Sequence, residues 1–251
     1  MRLEGKAAIV TGAGSGIGRA AAIAMASDGA SVTVVDRNGG DAERTVATIA
    51  ETGGRAMAIV GDVSVRADVE RVVAETVSRF GGVGILFNNA GVQLHKGLEA
   101  TEEEEWDQLF AINVKGMFLF AKAVIPVMER AGGGVILNNA SVASFRALMG
   151  GDTAYVASKG AVMGLTRDLA IAVAPKKIRV LAICPGPTRT GLLAQSLAAG
   201  VVSEDTVRAL QLTDHIAEPE EIGRMAAFLV SPEARYVVGS GVSIDGGMGI
   251  L

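Results

Sequence analysis

Tyr155 and Lys159 stand four residues apart in Tyr155-Val156-Ala157-Ser158-Lys159, a segment that reads as helix. That spacing places both side chains on one helix face. A phenol with an ordinary pKa near ~10 is a poor base at neutral pH. An ammonium beside it, aided by a cationic nicotinamide ring, favours phenolate and lowers that pKa. Such a pair could move a proton to or from an oxygen. The chain holds only two tyrosines, so the pairing is not drawn from a large pool. Taken alone, Y-x-x-x-K is a weak pattern that a surface pair would also give.

A second chemical signal is the glycine-rich run Thr11-Gly12-Ala13-Gly14-Ser15-Gly16-Ile17-Gly18-Arg19. Glycine lets a backbone turn sharply and approach a ligand with no Cβ in the way. A helix that starts there points free N–H groups forward, which favours phosphate. The spacing is T-G-x-x-x-G-x-G rather than G-x-G-x-x-G, and no Gly-Lys-Ser/Thr follows, so it is not a Walker loop. Asp36 lies 18 residues beyond Gly18, where a ribose-binding acid is expected. A carboxylate accepts from ribose hydroxyls and repels a 2′-phosphate, so NAD(H) is expected ahead of NADP(H). Arg37 pulls the other way, since an arginine could pair with that phosphate.

The elements that must position these groups alternate along the chain. Strands are predicted at 7–11, 31–36, 56–61, 84–88, 134–138, 178–183 and 242–244. Helices are predicted at 17–28, 41–52, 65–80, 101–130, 153–173 and 219–230. Strand runs rich in Val and Ile, alternating with helices, give an α/β fold: a doubly wound parallel sheet of about seven strands with helices on both faces. No linker divides the 251 residues, so a single domain is expected. Thr101 and Glu104 fit a helix capping box, and Glu218-Pro219-Glu220-Glu221 reads as a helix start. Polar, Gly or Pro residues close the strands: Asp62-Val63, Asn88-Asn89-Ala90-Gly91, Ser141 and Pro185-Gly186. Ligands bind at those carboxyl ends in open α/β sheets.

Composition narrows the partners. A net charge of −4 with no basic run argues against nucleic acid. One cysteine, Cys184, makes no intrachain disulfide and fits a reducing cytoplasm. Two histidines and one cysteine cannot build the usual His/Cys zinc clusters, although a carboxylate site for magnesium stays open, and no metal is expected. No apolar run approaches ~18 residues, so no membrane span is expected. The stretch 116–128 is broken by Lys122 and Pro126.

In their order, Thr11–Gly18, Asn88–Gly91, Ser141, Tyr155/Lys159 and Pro185-Gly186 resemble the short-chain dehydrogenase/reductase family, over residues 4–247. The likeness extends to its 3-oxoacyl-carrier-protein reductase, sugar/polyol and hydroxysteroid dehydrogenase branches. It implies a one-domain Rossmann fold and hydride transfer between NAD(P) and a secondary alcohol or ketone. It further implies Tyr155 as acid/base and Lys159 as the lysine that lowers its pKa and holds the nicotinamide ribose. Ser141 would bond the substrate oxygen and Asn113 would hold a proton-relay water. Cofactor contacts are implied for Gly12, Ser15, Gly16, Ile17, Gly18, Asp36 and Arg37. The same holds for Asp62 and Val63 (adenine), Asn89, Ala90 and Gly91 (adenosine side and sheet support), and Pro185, Gly186, Thr188 and Thr190 (carboxamide side). A homotetramer built on 101–130 and 153–173 is implied as well.

Some positions depart from the family pattern. Ala140-Ser141 replaces a serine pair, and 14 residues separate Ser141 from Tyr155, one more than the commonest spacing. Ser144 is therefore a rival. Leu181 stands where asparagine is often found. Residues 190–214 resemble a mobile substrate lid. Leu148, Met149, Leu192, Leu193 and Leu197 could line an apolar pocket, with Gln93 and His95 near its rim. Two other readings remain: a non-catalytic NAD(H)-sensing protein, which the intact Asn113, Ser141, Tyr155 and Lys159 argue against, and a methyltransferase, which would not need Tyr155/Lys159.

Overall fold

In a computed structural model, residues 1–148, 151–198, 200–213 and 215–251 are described. Seven strands form one sheet: β1 (Ala7–Thr11), β2 (Ser31–Asp36), β3 (Arg55–Val60), β4 (Ile85–Asn88), β5 (Gly134–Asn139), β6 (Ile178–Pro185) and β7 (Gly241–Ile244). All neighbours are parallel, in the order β3-β2-β1-β4-β5-β6-β7. From β1 the chain runs outward to β3, then returns to the other side of β1 at β4. At that reversal the loops after β1 and β4 diverge, which opens a crevice at the carboxyl edge.

The helices are α1 (Gly16–Ser27), α2 (Gly39–Glu51), α3 (Arg66–Phe80), α4 (Glu103–Phe110), α5 (Gly116–Arg130), α6 (Thr153–Ala172), α7 (Gly191–Ala198), α8 (Glu204–Ala209) and α9 (Pro219–Val230). Successive strand residues face opposite sides, so both alternations must be apolar in a sheet covered twice. Ala8, Val10, Leu137, Leu181 and Ile183 join α1, α2 and α9 in one core. Ile9, Ile136 and Val180 join α3 and α5 in the other. Leu181, the family departure, is therefore a core residue. Helices α1 and α9 touch so closely that a Cβ on Gly223 would lie 2.6 Å from the Ala20 carbonyl carbon.

The predicted helix 101–130 is not one regular helix. A π turn at Ala111–Lys115 joins α4 to α5, with the Gly116 N–H donating to the Ala111 carbonyl. Single π turns inside helices often accompany functional sites. The capping box sits one residue later than expected, on Glu102 and Glu105. Glu105 accepts the Glu102 N–H and also holds Lys96 Nζ at 2.6 Å, while Thr101 donates to the Gly97 carbonyl. The box at Glu218 and Glu221 starts α9 with Pro219 in the first turn.

By length and composition the helical run Glu103–Arg130 could cross a membrane. It instead lays Leu119, Phe120, Val124 and Met128 against the sheet, each 5% exposed or less. The segment predicted as a lid carries α7 and α8, two short helices the sequence did not announce. Its last predicted position, Asp214, and the pocket candidate Met149 lie outside the described residues.

Candidate active site

The turn from β1 into α1 explains its own glycines. Gly12 and Gly16 have φ of 61° and 51°, the left-handed region that a Cβ disfavours. At Gly12 a Cβ would also stand 2.9 Å from Ala90 Cα. Ser15 precedes α1 with no side-chain cap bond, so the helix N-terminus keeps N–H groups free for an anion. Gly14 N–H donates to Asp36 Oδ2 at 2.9 Å, and Asn38 N–H to Oδ1 at 3.0 Å. A carboxylate has about four lone-pair sites, so Asp36 can still accept from two hydroxyls.

Gly18 departs from its predicted role. It does not line the cleft but stands behind the turn, where a Cβ would come 2.2 Å from the Gly12 carbonyl oxygen and 2.4 Å from Asn89 Nδ2. Its missing side chain keeps the turn closed rather than making room for a ligand. Gly18→Ala is expected to destabilise the fold by about 3 kcal/mol or more. For a chain of this size that lowers Tm by about 6–12 °C in a thermal melt. An unchanged Tm would contradict this packing role.

The loop after β4 is latched to the same turn. Asn89 Nδ2 donates to the carbonyls of Thr11 at 2.9 Å and Gly12 at 3.2 Å. Thr11 Oγ1 accepts the N–H groups of Asn89 and Ala90. Asn89 Oδ1 then accepts from Asn139 Nδ2 at 2.9 Å. Because Asn89 is fixed by two carbonyls, this chain also fixes the Asn139 amide. A deeper ladder runs from Asn88 Nδ2 to Asn138 Oδ1 and from Asn138 Nδ2 to Thr166 Oγ1, both at 3.0 Å. It pins the ends of β4 and β5 to α6. Paired amides of this kind make the strand ends rigid, while Asn139 Oδ1, at the cleft, is buried without a partner among the described residues. Sequence reasoning missed Asn138 and Asn139; their signal was two adjacent amides ending an apolar strand.

One cleft of about 560 Å³ runs along the carboxyl edge. Of the predicted residues it brings together Gly12, Ser15, Gly16, Ile17, Asp36, Arg37, Asp62, Val63, Asn89, Ala90, Gly91, Ser141, Tyr155, Lys159, Pro185, Gly186, Thr188 and Thr190. Asp62 is held in shape by Ser64, whose N–H and hydroxyl both donate to Oδ1 at 2.8 and 2.6 Å. Leu148, Leu192, Leu193, Gln93 and His95 lie on the cleft wall, and Leu197 does not. Asp152, Asn139, Ser196 and Met248 line it too, and sequence reasoning had not singled them out.

Asn113 is fully buried and does not itself line the cleft. Oδ1 accepts the Val92 N–H at 2.8 Å, and Nδ2 donates to the Val92 carbonyl and to Ser158 Oγ. With both amide ends engaged, this side chain clamps the loop after β4 onto α6.

Tyr155 and Lys159 do share a face of α6, with Lys159 Nζ 5.4 Å from the Tyr155 ring centroid. Ser141 lies beside the Tyr155 side chain, close enough to favour its phenolate, and its Oγ accepts the Ala143 N–H at 3.1 Å. The rival Ser144 instead gives its hydroxyl to the Lys159 carbonyl at 2.9 Å. Tyr155 keeps some exposure along the cleft yet sits deep in the protein. Burial pushes its phenol up to about 12, Ser141 opposes this, and the Asp152 carboxylate adds to it. In the chain alone desolvation governs the phenol, and the lowering comes from Ser141 rather than from Lys159. The lysine itself points at the Asn139 carbonyl, 2.7 Å away. Burial brings its ammonium down to about 8. The arrangement can hold a proton at the phenol and hand it to an oxygen beside Ser141.

Comparisons with known proteins agree with this geometry. The family model described as enoyl-(acyl carrier protein) reductase matches residues 12–249. A dehydrogenase/reductase SDR family member 4 from Sus scrofa is 38% identical over 247 residues, covering 98% of this chain and 88% of that one. The levodione reductase of Leifsonia aquatica is 34% identical over 255 residues, covering 98% and 95%. A levodione reductase crystal structure superposes with a TM-score of 0.93 at 33% identity, over 99% of both chains. The 3-ketoacyl-(acyl-carrier-protein) reductase of Brucella melitensis, solved with NADH, gives 0.90 at 37% identity, over 98% and 99%. From its Tyr155/Lys159 face to its glycine turn, the chain belongs to the short-chain dehydrogenase/reductase family of oxidoreductases.

Proposed function

We propose that the protein is an NAD(H)-dependent oxidoreductase that interconverts a secondary alcohol and a ketone. The observation that carries this reading is the juxtaposition, in one cleft, of Tyr155, Ser141 and Lys159 with a glycine turn bonded to Asp36. The residues fit a dinucleotide: an uncapped helix N-terminus, a turn whose Gly12 and Gly16 line the cleft with left-handed backbone, and a carboxylate with lone pairs to spare. A bound nicotinamide dinucleotide would supply or accept the hydride.

The chain's own residues do the rest. The α1 N-terminus with Gly12, Ser15, Gly16 and Ile17 would hold the pyrophosphate. Asp36 would take the adenosine ribose hydroxyls and exclude a 2′-phosphate. Asp62 and Val63 would flank the adenine. Lys159 would bind the nicotinamide ribose, and Pro185, Gly186, Thr188 and Thr190 would orient the carboxamide. Tyr155 donates the proton to the ketone oxygen in reduction and takes it from the alcohol in oxidation. Ser141 donates to that oxygen as charge develops, which stabilises the transition state more than the ground state. Among the described cleft-lining residues the only Lys and Arg are Lys159 and Arg37, so no further Lys or Arg among them stands at the substrate end to pair with a carboxylate or phosphate.

The test is a panel of ketones and secondary alcohols run with both cofactors. Ketone reduction with NADH is expected to exceed that with NADPH by at least about tenfold in kcat/KM, about 1.4 kcal/mol. Asp36→Ala should bring the ratio toward one. Equal rates with both cofactors, or no ketone turnover, would contradict the reading. We also propose a homotetramer, since Phe118 on α5 and Ile171 on α6 are 45% and 80% exposed; a light-scattering mass near one chain would refute it.

A further inference from the structure

His95 has a left-handed backbone, with φ 58°, that only Lys177 shares among the described non-glycine residues. A bulky residue rarely adopts that conformation, and it persists only where the surroundings over-determine it. Here Asp152 does so. Its Oδ2 accepts the His95 N–H at 2.9 Å while its Oδ1 accepts the Tyr155 N–H at 3.3 Å. One buried carboxylate, 3% exposed, therefore ties the His95 backbone to the first turn of the helix that carries Tyr155. The strained residue is held beside the reacting centre.

The His95 ring is held separately, from the lid. Ser196 Oγ on α7 lies 3.1 Å from Nδ1 and 3.4 Å from Nε2, and 3.2 Å from the Leu192 carbonyl. A hydroxyl has one proton, so it donates either to Leu192 or to the ring. In the first case a ring N–H donates to Ser196 and the other nitrogen is left as an acceptor. In the second, the remaining nitrogen carries the N–H. Ser196 Oγ is within reach of both ring nitrogens and can pair with one at a time, and beyond Ser196 neither nitrogen has a partner among the described residues. His95 lines the cleft that Val142, Leu148, Leu192, Leu193 and Met248 make largely apolar, with Gln93 and Gln195 also on its wall. A polar atom in a largely apolar cleft discriminates for a ligand group that pairs with it.

We propose that His95 is a specificity-determining residue that hydrogen-bonds a second, neutral oxygen of an otherwise apolar substrate whose first oxygen meets Tyr155. This rests on the functional reading above and names its substrate class: uncharged compounds with two separated oxygens, as hydroxyls or carbonyls. Ser196 is the positioning residue that orients the ring.

The test uses dead-end complexes, which need no turnover. Calorimetry on the NADH-saturated enzyme compares cyclohexanol with quinitol, the ring diol whose hydroxyls sit on opposite carbons. NADH binding is measured first. Quinitol is expected to bind at least about tenfold more tightly, the effect of one paired hydrogen bond in an apolar site. His95→Asn tolerates the left-handed backbone but is too short to reach, and should bring the ratio to about one. In that variant cyclohexanol affinity should change less than about threefold. Ser196→Ala leaves the loop intact and should lower the ratio in part. No quinitol binding, a wild-type ratio near one, or a ratio that both variants preserve overturns this inference while NADH binding leaves the functional reading standing. A chain that binds no NADH overturns both.

Discussion

Tyr155→Phe is expected to bind NADH within about threefold of wild type and to lose about 10²–10⁴ of its turnover. The ring survives in the variant, so the packing of α6 and the contact with Lys159 survive with it. What disappears is the one hydroxyl placed to pass a proton to the substrate, while Ser141 keeps its bond from Ala143. The direction of the reaction then enters through pH. Burial pushes the phenol up to about 12 in the chain alone, so it is held protonated at neutral pH and is ready to act as an acid. Reduction should therefore be flat across neutral pH. Oxidation needs the phenolate and should rise with pH, close to tenfold per unit below the operative pKa. Stopped-flow turnover with separate fluorescence titration of NADH distinguishes the lost proton from lost binding. Near-normal turnover in Tyr155→Phe would remove the phenol from the mechanism.

Lys159→Met is expected to make the protein more stable and nearly inactive. The lysine pKa falls from 10.5 to about 8 because burial disfavours the ammonium. The folded state therefore binds fewer protons than the unfolded chain between these values, and the cost of the buried charge is fully present below about pH 8, fades as pH rises from there and is gone above 10.5. At about 1.36 kcal/mol per unit the cost is on the order of 3 kcal/mol. Methionine carries no charge and has similar length, but it forfeits the hydrogen bond to the Asn139 carbonyl, about 1 kcal/mol. The net gain near neutral pH is about 2 kcal/mol, or about 4–8 °C in Tm. The gain should shrink in melts run at progressively higher pH. Turnover should fall by about 10² or more, since the cation at the phenol is gone. A lower Tm at neutral pH would mean that the lysine supports the fold rather than straining it.

Much of this was legible in the sequence because the signals were local. Continuous Val/Ile-rich runs, a glycine turn after the first and Tyr155/Lys159 at helical spacing fix their own geometry. The strand starts and ends agree with the structure to within two residues, since Gly, Asp, Asn or Pro stands at or just after the end of each run. What was not legible depends on contacts distant in sequence. Nothing near Asn113 shows that its amide is engaged by Val92 and Ser158, 21 and 45 residues away. Gly18 belongs to the same motif as Gly12, yet only the fold shows that its Cβ would strike a carbonyl behind the turn. The Tyr155 pKa was misjudged because a helix-face argument counts the neighbouring charge and not the depth of burial. His95 was legible only as a residue near the pocket rim: its Asp152 latch and its Ser196 partner come from segments 57 and 101 residues away.

The central claim is direct hydride transfer to a carbonyl carbon held between Tyr155, Ser141 and the nicotinamide. It is tested most directly by reducing a ketone with NADH deuterated on the transferring face of nicotinamide C4 and analysing the alcohol by mass spectrometry and NMR. One deuterium at the carbinol carbon, in a single configuration, with the hydroxyl proton drawn from solvent, is the expected result. An alcohol that carries no deuterium at that carbon when NADH labelled on either face is consumed would contradict it.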